Sequence, residues 1–179
     1  MPDQIAVREM APEEAPLVTD YFNQSTPEFL ERLGVDPTRL AGINNLRDHL
    51  QIEGMLHADE RRFIFLIWLC NDRPIGFSSC DTIVFAERAN MHLHVVDPEL
   101  RQQGIGTECV RRSARIYFQL LQLKELFCEP NAFNTAPNRT LQRAGFEYVK
   151  THKTVPGPLN FHQAVTRWVI RRQGALARD

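Results

Sequence analysis

The sequence predicts a mixed α/β fold of the α+β type, and three observations carry that expectation. One strand pattern opens the chain, helical stretches fill residues 12–55, and from Arg62 onward a block of strands gives way to alternating helices and strands. A doubly wound sheet would alternate from its first element, so that architecture is excluded. With no internal repeat and no low-complexity linker, the 179 residues read as one domain, 1–179, long enough to bury its own core.

The elements follow in order. Ile5, Val7 and Glu9 alternate with their neighbours as a first strand. Pro12, Glu13 and Glu14 open a helix running towards Phe22, with acids at its positive end. Thr26 and Pro27 begin a short helix that Gly34 stops, and 38–55 is helical in pattern but interrupted by Gly42 and two asparagines. The run 63–70 is continuously apolar, as in a strand covered on both faces, with Phe63, Phe65 and Trp68 as core. Residues 71–74 supply a hairpin turn, 75–85 the returning strand, and 89–96 another. Residues 107–121 form the clearest helix, with Val110, Ala114, Tyr117 or Phe118, and Leu121 on one stripe. A short strand at 126–129, a helix at 136–144 ended by Gly145, and a strand at 146–150 come next. Residues 155–158 turn the chain into a closing strand at 164–171, and the tail from Arg171 is expected to be a solvated end.

Composition removes several functions. A net charge of −1 offers no field for a phosphate backbone, so nucleic acid is not an expected partner. No apolar run reaches the roughly 18 residues that span a bilayer, and the first residues lack signal-peptide order. A cytoplasmic protein without a membrane partner is expected. Cys70, Cys80, Cys109 and Cys128 show no C-x-x-C spacing and read as small buried thiols rather than metal ligands or disulfides.

The segment 93–107 carries the chemistry. It runs strand, loop, glycine pair, helix, with Gly104 and Gly106 letting the backbone turn tightly beside a ligand. Unpaired amides of the first helical turn, with the helix dipole behind them, suit a diphosphate. A dinucleotide fingerprint would place a third glycine at Cys109, and a P-loop would need Lys-Ser/Thr where Thr107 and Glu108 stand. A nicotinamide-dependent oxidoreductase therefore rests on the glycine pair alone.

Arg101-Gln102-Gln103-Gly104-Ile105-Gly106 after Val96-Asp97-Pro98 resembles the coenzyme A pyrophosphate loop of the GNAT N-acetyltransferases, R/Q-x-x-G-x-G/A. A second block, Glu129 to Asn134 followed by Asn138 to Gly145-Phe146, looks like that family's strand, asparagine, helix and Gly-Phe ending. Within the family it is closest in pattern to bacterial aminoglycoside 6'-N-acetyltransferases, siderophore-type acyltransferases and ribosomal-protein N-terminal acetyltransferases.

The resemblance implies a mostly antiparallel mixed sheet, splayed at a central parallel pair, with helices on both faces. It implies acetyl-CoA as co-substrate, no metal, and a primary amine of a small molecule or peptide as acceptor. It would give cofactor contacts to the backbone of His94, Val95 and Val96, to the amides of Arg101, Gln102, Gln103, Gly104, Ile105, Gly106 and Thr107, and to the Asn134 side chain. Glu129 is the implied general base, the alternative being a structural pairing with an arginine. An amide near Val95 would hold the oxyanion. His92 falls where some relatives carry a proton-relaying histidine, the alternative being a polar lining residue. The family's tyrosine and serine proton donors are absent, since Leu141 and Pro137 stand at those places. That absence keeps a non-catalytic acyl-CoA-binding module as the competing reading.

The acceptor region is expected at 25–54 and 151–161, where Glu28, Glu31, Asp36 and Asp48 either meet a cationic acceptor or form an ordinary exposed face. His49, His57, His152 and His162 are expected to be solvated. Zinc at His92 and His94 lacks a third ligand at a suggestive spacing. A homodimer is among the assemblies the resemblance allows.

Overall fold

The apolar run after Arg62 becomes a strand one place in from an edge of the sheet. A computed structural model of the chain describes residues 4–96 and 104–176. It shows a seven-stranded sheet in the order β1-β2-β3-β4-β5-β7-β6. The strands are β1 (Ile5–Glu9), β2 (Ile64–Cys70), β3 (Arg73–Val84), β4 (Arg88–Val95), β5 (Glu125–Cys128), β6 (Glu147–Thr154) and β7 (Gln163–Arg171). Every pairing is antiparallel except β4 with β5. The expected mixed sheet with a central parallel pair is what forms.

Helices cover both faces. On one face lie α1 (Pro16–Asn23), α2 (Pro27–Leu33) and α3 (Leu46–Gly54), whose Val18, Phe22, Leu30 and Leu50 pack with Ile67, Leu69 and Phe77. On the other lie α4 (Ile105–Leu121), α5 (Thr135–Ala144) and α6 (Arg172–Leu176), packed on Leu66, Trp68, Met91 and Ile170. The α4 stripe falls as its period predicts: Val110, Ala114, Tyr117, Phe118 and Leu121 are all buried. The four cysteines are free and buried. Trp68 Nε1 donates to Ser113 Oγ at 2.8 Å, and Ser78 joins Ser113 to Tyr117, so the polar atoms of this core are paired with one another.

Local chemistry sets the boundaries. The Thr26 hydroxyl accepts from Phe29 N at the start of α2, and Gly34 ends that helix at φ 74°. The stretch 38–55 divides into a 3-10 segment, Pro37–Ile43, and α3, with the two asparagines between them. The β2–β3 turn is confined to Asn71 and Asp72, both at positive φ as a two-residue hairpin requires, while Arg73 and Pro74 already belong to β3. A bulge between Trp68 and Leu69 accompanies Pro74 in this interior strand. The tail differs from its expectation. Arg172 donates to the carbonyls of Leu123 and Phe118, and Ala175 is buried, so α6 closes over the core instead of standing in solvent, while residues 177–179 lie outside the described residues.

Candidate active site

The β4–β5 ladder runs from Arg88↔Glu125 to Met91↔Cys128 and stops, although β4 continues to Val95. Among the described residues no strand therefore pairs with β4 beyond Met91 on that side. Val96 N donates to Ile75 O, so that amide faces β3; strand alternation turns the main chain of His94 the same way and that of Leu93 and Val95 towards the gap. Gly76 allows the close approach of β3, because a Cβ there would meet His94 O at 2.5 Å.

The start of α4 sits at this opening. Gly104 takes φ 82°, and its carbonyl accepts from the amides of Thr107 and Glu108. The amides of Ile105 and Gly106 have no hydrogen-bond partner among the described residues, as expected of a first helical turn. Among the described residues a Cβ on Gly104 would meet nothing within 4 Å, and one on Gly106 would meet Val95 at 3.6 Å and Thr140 at 4.0 Å. Arg139 and Arg143 of α5 line the same cleft and make no ion pair among the described residues. Asn134 precedes α5, leaves the helix uncapped by its side chain, and also lines the cleft. Arg101, Gln102 and Gln103 lie outside the described residues.

The cleft, of about 960 Å³, continues from α4 and α5 through the gap to the face covered by α1 and α2. Two polar groups stand on its walls. His92 Nε2 lies 3.1 Å from Asp81 Oδ2, across the β3–β4 pair. Asp81 is held at a break in register before Val84, where Thr82 takes φ 50°, a distortion of the kind that re-aims a side chain beside a site. At the end of β5, Glu129 Oε1 accepts from Arg167 Nε and His152 Nε2, each at 2.7 Å, with the Glu129 side chain only 6% exposed. His152 is thus drawn into the site's surroundings, contrary to the solvated placement expected for it. Asp81, His152 and Arg167 carry no motif of their own, and only the sheet brings them to His92 and Glu129.

His94 is a packing residue on its side-chain side. Its ring stacks on Phe77 at 4.9 Å and its Nδ1 lies 3.3 Å from Tyr21 OH. Burial, helped by the nearby His92, pushes its pKa down to about 3, so the ring stays neutral. No group of three metal-ligating side chains exists among the described residues. Leu141 is fully buried in the core, whereas Pro137 lines the cleft, so neither position presents a hydroxyl. Of the four acids expected near the acceptor, Glu28, Glu31 and Asp48 are exposed, and none of them or Asp36 lines the cleft.

Comparison with solved structures gives the same architecture. The aminoglycoside acetyltransferase AAC(6')-Ib, in a complex with paromomycin and acetyl-CoA, superposes with a TM-score of 0.74 at 17% identity over 98% of this chain and 97% of the other. The RimL ribosomal L7/L12 alpha-N-protein acetyltransferase with coenzyme A gives 0.72 at 15% identity, over 93% of each chain. Spermidine N-acetyltransferase from Vibrio cholerae, bound to coenzyme A and spermine, gives 0.72 at 15% identity, over 97% of this chain and 98% of the other. At such identities the likeness establishes the fold. No curated protein matches the sequence. The family described as "Acetyltransferase (GNAT) domain" matches residues 4–147, most of the chain, and the protein therefore belongs to the GNAT family of acetyl-CoA-dependent N-acetyltransferases.

Proposed function

We propose that this protein, as a single domain, transfers an acetyl group from acetyl-CoA to a primary amine by direct attack on the thioester. The observation that carries the reading is the gap beyond Met91 and Cys128, opening onto the amides of Ile105 and Gly106, which have no partner among the described residues. An extended pantetheine arm finds a main-chain partner on the gap side of β4, at Leu93, where no strand among the described residues pairs with it. The diphosphate takes the amides of the α4 start, supported by the helix dipole and by Arg139 and Arg143. Gly104, Ile105 and Gly106 keep the role expected of them, the Thr107 amide is instead given to Gly104 O, and Asn134 reaches the arm from the α5 side. The amide of Leu93 holds, in this reading, the charge that develops on the thioester oxygen.

The acceptor arrives as an ammonium and must lose a proton before its lone pair forms the new C–N bond and the C–S bond breaks. His92 is the base this geometry favours. With Nε2–H given to Asp81, Nδ1 carries a free lone pair, and Asp81 fixes the tautomer and the ring. Glu129 is the second reading. It lines the same cleft, but both donors occupy Oε1, leaving Oε2 to take a proton. No side chain at 137 or 141 protonates the departing sulfur.

The test is coenzyme A release from acetyl-CoA with a panel of amines, using the parent chain, H92Q and E129Q. The His92 reading expects a loss on the order of 10²-fold in kcat for H92Q with acetyl-CoA affinity kept. An unchanged H92Q with a crippled E129Q transfers the role to Glu129. Release with no amine at all, despite tight acetyl-CoA binding, would leave only a binding module.

A further inference from the structure

Resting on the acetyl-transfer reading, we infer that the acceptor is an amine with a flat, aromatic or apolar body and an anionic group, which the Phe29–Arg32 wall of the cleft receives. The acceptor end of the cleft is lined by Tyr21, Phe29, Phe63 and Phe65, all only partly buried, so a flat apolar body gains by covering them. Three arginines share that end. Arg39 lies 3.4 Å from Asp36 and Arg62 is held by Glu53 at 2.9 Å. Arg32 has no carboxylate partner among the described residues; its guanidinium lies over the Phe29 ring, 4.9 Å from the centroid. Stacking leaves the N–H edge of a guanidinium free for a carboxylate or phosphate.

The opposite charge is missing. Asp81 and Glu129 are the cleft's two carboxylates among the described residues, and each is already engaged, by His92 and by Arg167 with His152. A polyamine or aminoglycoside would bring several ammonium groups against arginines with no spare acid to receive them. The roof adds selection by shape. Gly34 O accepts from the side chains of Asn160 and Gln163, and Asp36 N donates to Leu159 O, which pins the 158–160 loop over the arginine end.

The experiment compares kcat/KM, with acetyl-CoA saturating, for phenylalanyl-glycine, an aminoacyl-nucleotide analogue, phenylethylamine, spermine and kanamycin, alongside calorimetric titration of acetyl-CoA. The inference expects the dipeptide or the nucleotide to exceed phenylethylamine by about tenfold or more, and both polycations to rank below it. Which of the two anionic amines leads identifies carboxylate or phosphate as the recognised group. R32Q should shrink the preference for the anionic over the neutral aromatic amine by on the order of tenfold, about 1.4 kcal/mol. Preference for spermine or kanamycin, an R32Q preference equal to the parent's, or no aromatic anionic substrate in a protein that binds acetyl-CoA would overturn it. Failure to bind acetyl-CoA would instead bring down the transferase reading beneath it.

Discussion

Met91 and Cys128 form the last pair of the parallel β4–β5 ladder, and β4 runs on for four residues past that pair with no strand among the described residues beside them on that side. A sheet that opens in its middle exposes main-chain donors and acceptors that need partners. Here the opening faces a helix start, and the proposed reading has one ligand with an amide-bearing arm and a diphosphate satisfy both.

Gly104→Val tests the helix end. Gly104 sits at φ 82°, where a β-branched residue is strained, yet none of the described residues lies within 4 Å of an added Cβ. The added side chain enters the space assigned to the diphosphate. Acetyl-CoA affinity should fall by about tenfold or more, roughly 1.4 kcal/mol, in calorimetry. Unaltered affinity would move the diphosphate elsewhere.

Asp81→Asn separates orientation from proton transfer. Asp81 touches His92 across the strands and, as a positioning residue, should act through it. A kcat loss of about tenfold is expected, with the loss absent when D81N is added to H92Q, because two residues acting as a unit are not additive. Additive losses would show that Asp81 acts apart from His92.

His94 makes stability fall in acid. Its folded pKa of about 3 lies below its ordinary 6.5. Between those values the unfolded chain binds the extra proton, so the contribution of the neutral ring is complete above pH 6.5 and is lost as pH drops. At one unit below 6.5 the linkage amounts to about 1.4 kcal/mol. Urea titrations from pH 7.5 to 5.5 should show a flatter pH dependence in His94→Phe, and equal slopes would refute the assignment.

Gly34→Ala probes the roof. The position has φ 74°, and an added Cβ would collide with the Gln163 amide group that bonds the Gly34 carbonyl. A destabilisation of about 1–3 kcal/mol is expected from the strain and the broken contact. The acceptor KM should rise while acetyl-CoA affinity holds. A lower Tm with the acceptor KM unchanged would show that the Gly34 anchor has no part in acceptor binding.

Much of this protein was written locally. Alternation in β1, the apolar run of β2, the α4 stripe, the Thr26 and Gly34 caps, and the glycine pair before α4 each depend on neighbours within a turn or two, so sequence pattern reports them directly. The interruption at 42–45 also had a visible cause, although its outcome, a 3-10 segment and a separate helix, depended on packing against the sheet.

The sequence by itself determined the mixed sheet, the buried cysteines, the glycine-led start of α4 and the candidacy of His92 and Glu129. Tertiary structure alone decided what those two groups meet: Asp81 comes 11 positions before His92, while His152 and Arg167 follow Glu129 by 23 and 38. It also decided that the acids of 28–48 stay out of the cleft while arginines line it. The reason is physical. Periodicity and capping are short-range properties of one segment, whereas the partner of a side chain is set by which strands pair and in what register.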